Sequence, residues 1–262
     1  MNDHELAIHL AREAGRMLLG VRAEAAVPPG DDEAAKALAH RGDNESNDWL
    51  LEQLKAHRPD DAVLSEEAKD SDHRLGAKRV WIIDPVDGTY EYARSLPEFA
   101  VHIALWDHEA KEFLAGAVSI PNHDLVWSTA DEPSDVDVKV LGRPLMIIAS
   151  PREPKEMVEK LRSGLLDFAA SHGYDGIEVM NCGSVGGKVH QILTGAADVY
   201  LSSVGFYEWD SAAPAAIGSH HGLRITQLNG ERLTFNHMPP KTPSFLAARP
   251  WLHAAAVAAL SE

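Results

Sequence analysis

Trp81-Ile82-Ile83-Asp84-Pro85-Val86-Asp87-Gly88-Thr89 is the stretch on which the reading of this chain turns. Val80 to Ile83 form an unbroken apolar run, the pattern of a strand covered on both faces. Pro85 has no amide proton to give to a ladder, so the strand is expected to stop there. Beyond it, a turn favoured by Pro and Gly holds Asp84 and Asp87 so that both side chains and the Val86 carbonyl can converge on one point. Donors that are all oxygen suit a hard cation such as Mg²⁺, which wants near-octahedral geometry at about 2.0–2.1 Å. The alternative is an ordinary Asp-rich turn at the surface.

Two further acidic clusters bear on that choice. Ser65-Glu66-Glu67 closes the apolar stretch Ala62 to Leu64, a second candidate strand end. Trp209-Asp210-Ser-Ala-Ala-Pro214 puts an acid before small residues that read as the first turns of a packed helix. Taken alone, Asp210 is an N-cap accepting backbone N–H bonds. Taken with the other clusters, it reads better as a metal ligand at a helix start.

Ser-Glu-Glu, Asp-Pro-x-Asp-Gly-Thr and Trp-Asp-x-Ala-Ala, in that order, resemble the signature of the Mg²⁺-dependent, lithium-sensitive phosphatases of the inositol monophosphatase type. The resemblance spans nearly the whole chain and implies an α/β (α+β) fold, a layered αβαβα sandwich. It implies that Glu66 binds the first metal, with Glu67 beside it as a candidate for a third. Asp84 bridges the ions, Val86 supplies a carbonyl, and Asp87 and Asp210 complete the second metal. Thr89 then orients the attacking water, and Asp43 is its activating partner. Where the family usually carries Thr shortly before this Asp, the chain has His40-Arg41-Gly42, and Asp43 also reads as an N-cap for the helical pattern of Trp49, Leu50 and Leu54. Two or three Mg²⁺ ions per site are the implied cofactors.

Within the family, Asp87-Gly-Thr-Tyr-Glu-Tyr92 and Ala213-Pro214 resemble the CysQ-type 3′(2′),5′-bisphosphate nucleotidase branch more than the inositol enzymes. Cys182-Gly-Ser-Val-Gly-Gly-Lys188 resembles a segment these nucleotidases place around substrate. Small residues there let backbone approach a nucleotide, and Lys188 offers a charge for its 5′-phosphate; the plainer reading is a Gly-rich helix start with a surface Lys. Gly88 and Thr89 are expected to turn backbone N–H groups to a bound phosphate. Ser150, with Arg152, sits just past a strand end, where open sheets bind ligands. The candidate substrate contacts are therefore Gly88, Thr89, Ser150, Gly183, Ser184 and Lys188. Ser-Pro-Arg departs from the Ser-x-Ser-His form of some members.

Composition bounds the rest. At 262 residues and 45% hydrophobic, the chain can bury one large core or two fused ones. A division is expected into residues 1–143, an α+β half with most metal ligands, and 144–262, an α/β half with Asp210 and the substrate segments. A net charge of −16 argues against nonspecific binding to nucleic acid or anionic membrane. Cys182 is the single cysteine, which excludes an intrachain disulfide and suits a reducing cytoplasm. No signal core or membrane-length apolar run is present in the sequence. The 14 histidines lack zinc-site spacing and are expected mostly at the surface. A homodimer is compatible with all of this.

Residues 3–23 carry an amphipathic helical pattern, and Val27-Pro-Pro-Gly-Asp-Asp32 is expected to open a charged loop reaching Gly42. Strands are expected at 99–105, 114–120 and 125–128, then, after a polar stretch, near 145–149, 177–179 and 198–201. Helices are expected at 153–170 and 184–193. Three functions fit: a phosphatase acting on adenosine 3′,5′-bisphosphate and on its sulfated form in sulfur assimilation, an inositol monophosphatase, or a catalytically inactive phosphometabolite sensor. Retention of Glu66, Asp84, Asp87, Thr89 and Asp210 speaks against the last.

Overall fold

A computed structural model describes residues 1–261. Helix α1 (Asp3–Ala25) starts at a reciprocal cap: the Asn2 side chain accepts from the Glu5 amide, and the Glu5 carboxylate accepts from the Asn2 amide, both at 2.9 Å. Its buried stripe is Leu6, Leu10, Ala14, Leu18 and Val21. Helix α2 (Asp32–His57) overturns the expected loop to Gly42, because only residues 26–31 leave helical geometry. The Asp31 carboxylate caps α2 by accepting from the Ala34 amide at 3.0 Å, and Ala34 to Ala39 then propagate it with strong helix formers. Asp43 therefore lies inside a helix and is not an N-cap.

The first sheet takes β1 (Ala62–Ser65), β2 (Arg79–Asp87), β3 (Ala100–Asp107), β4 (Glu112–Ile120) and β5 (Leu125–Ser128) in sequence order. β1 runs parallel to β2 and the other pairs are antiparallel. Pro85 interrupts the ladder without ending it: pairing is lost after Asp84↔His102 and resumes at Asp87↔Ala100 across an irregularity. Helix α3 (Thr89–Ala93) follows at once.

In the second half, β6 (Leu145–Ala149) leads into α4 (Lys155–Gly164) and α5 (Leu166–Ser171), so the single helix expected at 153–170 is broken at Leu165. Next come β7 (Ile177–Asn181), α6 (Val185–Leu193), β8 (Val199–Ser202), β9 (Phe206–Tyr207), α7 (Glu208–His220), β10 (Arg224–Thr226), β11 (Lys241–Thr242), β12 (Phe245–Ala248) and α8 (Pro250–Ser261). The second sheet has the order β10-β12-β8-β6-β7, and β9 pairs with β11 as a short ribbon.

Strand periodicity builds the layers. Trp81, Ile83, Val101, Ile103 and Leu105 point into a core shared with α1 and α2. Their alternates Val80, Ile82, Ala100, Ala104 and Trp106 point into a core shared with α6, α7 and the inner face of the second sheet. The outer face of that sheet buries Ile147, Val199, Leu201 and Leu246 against α4, α5 and α8. The result is the layered αβαβα arrangement. Among the described residues no helix is long and apolar enough to cross a membrane.

Candidate active site

The end of β2, the start of α7 and the turn after β1 meet at one cavity of about 370 Å³. Around it the structure brings Glu66, Asp84, Val86, Asp87, Gly88, Thr89, Ser150, Gly183, Lys188 and Asp210. The Asp84, Asp87 and Asp210 carboxylates each offer an oxygen within 4.8 Å of the others, a donor set that fits a hard cation. Asp84 and Asp87 are buried, whereas Asp210 is partly open.

Crowded like charges dominate the electrostatics. Burial raises the Asp84 carboxyl well above its usual range, and the facing carboxylates of Glu66, Asp87 and Asp210 raise it further, against one bond from the Val86 amide at 3.0 Å. Asp210 is pushed up to about 6 by burial and by Asp87. Glu66 keeps surface in the open mouth, yet protein mass around it, then Asp210, Glu67 and Asp43, push it up to about 8. A bound cation would relieve this repulsion.

Asp87 is the exception. Burial acts to raise it, but His102, Lys188 and the Ser184 hydroxyl outweigh burial and hold it at about 2. Its carboxylate accepts from the Ser184 hydroxyl, from the Val185 amide at 3.1 Å and from the Gly186 amide at 2.8 Å. The anion position at the start of α6 is thus already filled by a side chain of the protein.

This arrangement gives the Gly183–Lys188 segment a different setting from the one its sequence predicts. Ser184 is fully buried and supports Asp87, with no face toward a ligand. Lys188 is not a surface residue: its amine is buried and donates to the Gly183 carbonyl at 2.9 Å and the Ser184 carbonyl at 3.0 Å, with the Tyr200 ring 5.0 Å away. Asp210 is not the N-cap of α7 either. Tyr207 holds that position, and the Asp210 carboxylate accepts from the Tyr207 amide at 2.8 Å from the first turn.

Thr89 opens α3 behind Gly88, whose φ of +88° is a left-handed conformation that favours Gly. The Thr89 hydroxyl donates to the Val86 carbonyl at 3.0 Å and sits beside Asp43. Asp43 is pushed up to about 7 by burial and the Glu67 charge, partly offset by Thr89. Gly42 makes this neighbourhood possible, since a Cβ there would lie 2.5 Å from the Tyr92 ring, and only its absence lets α2 approach α3.

Two residues near the cavity lay outside the expected set. Arg152 lines it, is exposed, and its guanidinium has no ion pair or hydrogen bond among the described residues. Its place after β6 was legible in the sequence. His102 is fully buried, with Nε2 3.0 Å from the Asp87 carboxylate, and with His190 and His221 it departs from the expected surface placement. The signal for it was a lone polar residue on the inward face of an apolar strand.

The sequence profile of the inositol monophosphatase family matches residues 2–262. The chain is 36% identical over 258 residues to a 3′-phosphoadenosine 5′-phosphate phosphatase of Mycobacterium leprae, covering 95% of this chain and 90% of that one. It is 27% identical over 240 residues to the 3′(2′),5′-bisphosphate nucleotidase CysQ of Escherichia coli K12, covering 86% and 91%. Among solved structures it is similar to CysQ of Bacteroides thetaiotaomicron, with a TM-score of 0.75 at 23% identity over 94% of this chain and 96% of the other. The chain belongs to the inositol monophosphatase family.

Proposed function

We propose that this protein is a phosphomonoesterase that removes the 3′-phosphate of adenosine 3′,5′-bisphosphate to leave AMP, and that also accepts the sulfated form of that nucleotide, in the cytoplasm of a sulfate-assimilating cell. The observation that carries the chemistry is the convergence of Glu66, Asp84, Asp87 and Asp210 on one cavity, with Thr89 held beside Asp43. The names of relatives above a third identical support the substrate.

Glu66, Asp84, the Val86 carbonyl, Asp87 and Asp210 would hold Mg²⁺, and Glu67 stands beside them for a further ion. Two such ions would draw charge from the phosphoryl oxygens and stabilise the leaving one. The protein itself does the positioning and proton handling. Thr89 and Asp43 form a relay when the Thr89 hydroxyl turns its one proton from the Val86 carbonyl to Asp43. Its oxygen then accepts from and orients a water, and the Asp43 carboxylate takes the hydroxyl proton as the hydroxyl takes one from the water. The Gly88 and Thr89 backbone, Ser150 and Gly183 face the substrate.

Arg152 is the accessible cation of the cavity and supports a second anionic group on the substrate, which inositol 1-phosphate lacks. Lys188, which lines the cavity with its amine tied to the Gly183 and Ser184 carbonyls, adds positive potential and rigidity. Phosphate release measured with Mg²⁺ on adenosine 3′,5′-bisphosphate, inositol 1-phosphate and fructose 1,6-bisphosphate tests the reading. The nucleotide should lead in kcat/KM by at least about tenfold, the size of one charge-assisted contact. A preference for inositol 1-phosphate would overturn it.

A further inference from the structure

We propose that His102 is a positioning residue that fixes the rotamer of Asp87 and so sets the metal affinity of the site. The inward face of β3 is otherwise apolar, with Ala100, Ala104 and Trp106 as its members. A fully buried imidazole in that row has to be compensated by polar partners. Two polar partners lie in different elements. Nε2 lies 3.0 Å from Asp87 Oδ2 at the end of β2, and Nδ1 lies 3.3 Å from the Trp209 carbonyl in the first turn of α7. Asp84, the cross-strand partner of His102, has a carboxylate oxygen 4.0 Å from Nδ1. The ring therefore spans two of the segments that carry carboxylates to the cavity.

Room for the ring comes from α6. A Cβ on Gly186 would fall 2.5 Å from His102 Nε2, so glycine there lets the imidazole and the helix start press against Asp87 together. Both partners are acceptors, so holding the two together takes a proton on each ring nitrogen; the approach of Nε2 to Oδ2 is close but oblique, short of a linear hydrogen bond.

The division of labour between the two oxygens of Asp87 gives the contact its meaning. Oδ2 receives the Ser184 hydroxyl and the Gly186 amide, with the His102 ring 3.0 Å away, whereas Oδ1 receives only the Val185 amide. A carboxylate oxygen has two lone pairs, so Oδ1 keeps one free while Oδ2 is fully engaged. His102 thus helps anchor one oxygen and leaves the other to face a cation, the way outer partners orient metal-binding carboxylates elsewhere. The inference rests on Asp87 being a metal ligand.

Direct metal binding separates the two ideas. Mn²⁺ serves as a paramagnetic probe for the Mg²⁺ site, with free ion read by electron paramagnetic resonance and folding checked by thermal melts. Asp87→Asn should weaken Mn²⁺ binding, and if it does not, the ligand assignment itself fails. Given that loss, His102→Val should raise the Mn²⁺ Kd by about 10- to 100-fold, the usual effect of removing an outer partner. A folded His102→Val protein that binds Mn²⁺ as the wild type does would overturn the proposal.

An amide pair covers the case in which the valine variant does not fold. His102→Gln can place a donor near the Nε2 position, and His102→Asn only near Nδ1. The Gln variant should stay within about threefold of wild type in Kd, and the Asn variant should lose about tenfold or more, as for an outer partner lost. Equal affinities for the two would show that the ring only fills space. At saturating Mg²⁺ the kcat of the Gln variant should approach that of the wild type.

Discussion

At the scale of single residues, the carboxylates differ in what they are expected to do when altered. Asp84 is buried and faces three other acids, so Asp84→Asn removes the shared charge at the centre of the cluster. Phosphatase turnover should fall by at least about two orders of magnitude under saturating Mg²⁺, with the melt preserved, as expected for loss of a two-metal bridge. Thr89 and Asp43 act in the proposed reaction as one unit. Asp43→Asn and Thr89→Ala should each lower kcat strongly, and the double variant should be little worse than either, whereas multiplicative losses would mean separate roles. Because Asp31 caps α2, Asp43→Asn should not lower the melting temperature. Arg152→Ala and Lys188→Ala form a contrasting pair. The first should lower kcat/KM for adenosine 3′,5′-bisphosphate by about 10- to 100-fold, with little effect on adenosine 3′-monophosphate. The second should depress both substrates and the melt, since its amine braces two carbonyls of the loop before α6. A selective loss for Lys188→Ala would return the 5′-phosphate to that lysine.

Among elements, α2 carries the most exacting fit. Gly42→Ala puts a methyl 2.5 Å from Tyr92, whose hydroxyl is held by the Leu18 carbonyl at 3.0 Å and cannot easily move away. Overpacking of this kind costs about 1–3 kcal/mol, so the melting temperature should drop. Since Asp43 follows directly, kcat should fall more than KM rises; a wild-type kcat would mean that the helix position does not matter to the reaction. The same helix shows where sequence reading runs short. Its face toward the cavity carries Gly42, Asp43, Ser46 and Asn47, which break the apolar period by which a helix is recognised. Ser46 donates to the Pro85 carbonyl at 3.2 Å and Asn47 accepts from Ser65 at 2.7 Å, polar duties that a propensity argument cannot anticipate. By contrast, β2 and its acids were legible because the strand, the turn and two carboxylates lie within nine residues of one another. His102 was hidden for the opposite reason: its partners lie in β2, α6 and α7, and only the register of the sheet brings them together.

For the whole molecule, one apolar core is shared by the inner faces of both sheets, including Val80, Ile82 and Trp106 from the first and Ile148, Tyr200 and Phe245 from the second. We therefore expect residues 1–143 and 144–262 to melt in one transition, and two separated transitions in calorimetry would contradict this. Acidity should act on that transition in a definite direction. Asp43, Asp210 and Glu66 stand at about 7, about 6 and about 8 in the folded protein, above ordinary values of 3.8, 3.8 and 4.5. A raised carboxyl binds its proton more tightly when folded, so its contribution is complete below the ordinary value and is lost as pH rises through the folded one. Asp87 works oppositely, but its window lies below 3.8. In a chelator, the melting temperature should fall between pH 5.5 and pH 8, and Mg²⁺ should restore it at pH 8 while adding little at pH 5.5. A rise over that interval without metal would show that the cluster is not strained by charge.

β1 is an edge strand, paired through only four residues to β2 alone, and the chain leaves regular structure immediately after it. Asp84 and Asp87 sit on β2, where they pair with β3, in a strand that β1 flanks only through Val80 to Ile83. The acids of the cavity are thus unequal in tenure. A brief fraying of the sheet margin would carry Glu66 and Glu67 away while Asp84 and Asp87 stayed in place, so the proposed metal ligands would differ in how long they hold. Amide hydrogens of Ala62 to Ser65 should exchange faster than those of Val80 to Ile83, and saturating Mg²⁺ should slow the first group selectively. In the proposed metal site, the exchange of ions would then be set at the rim of a sheet and not at its centre.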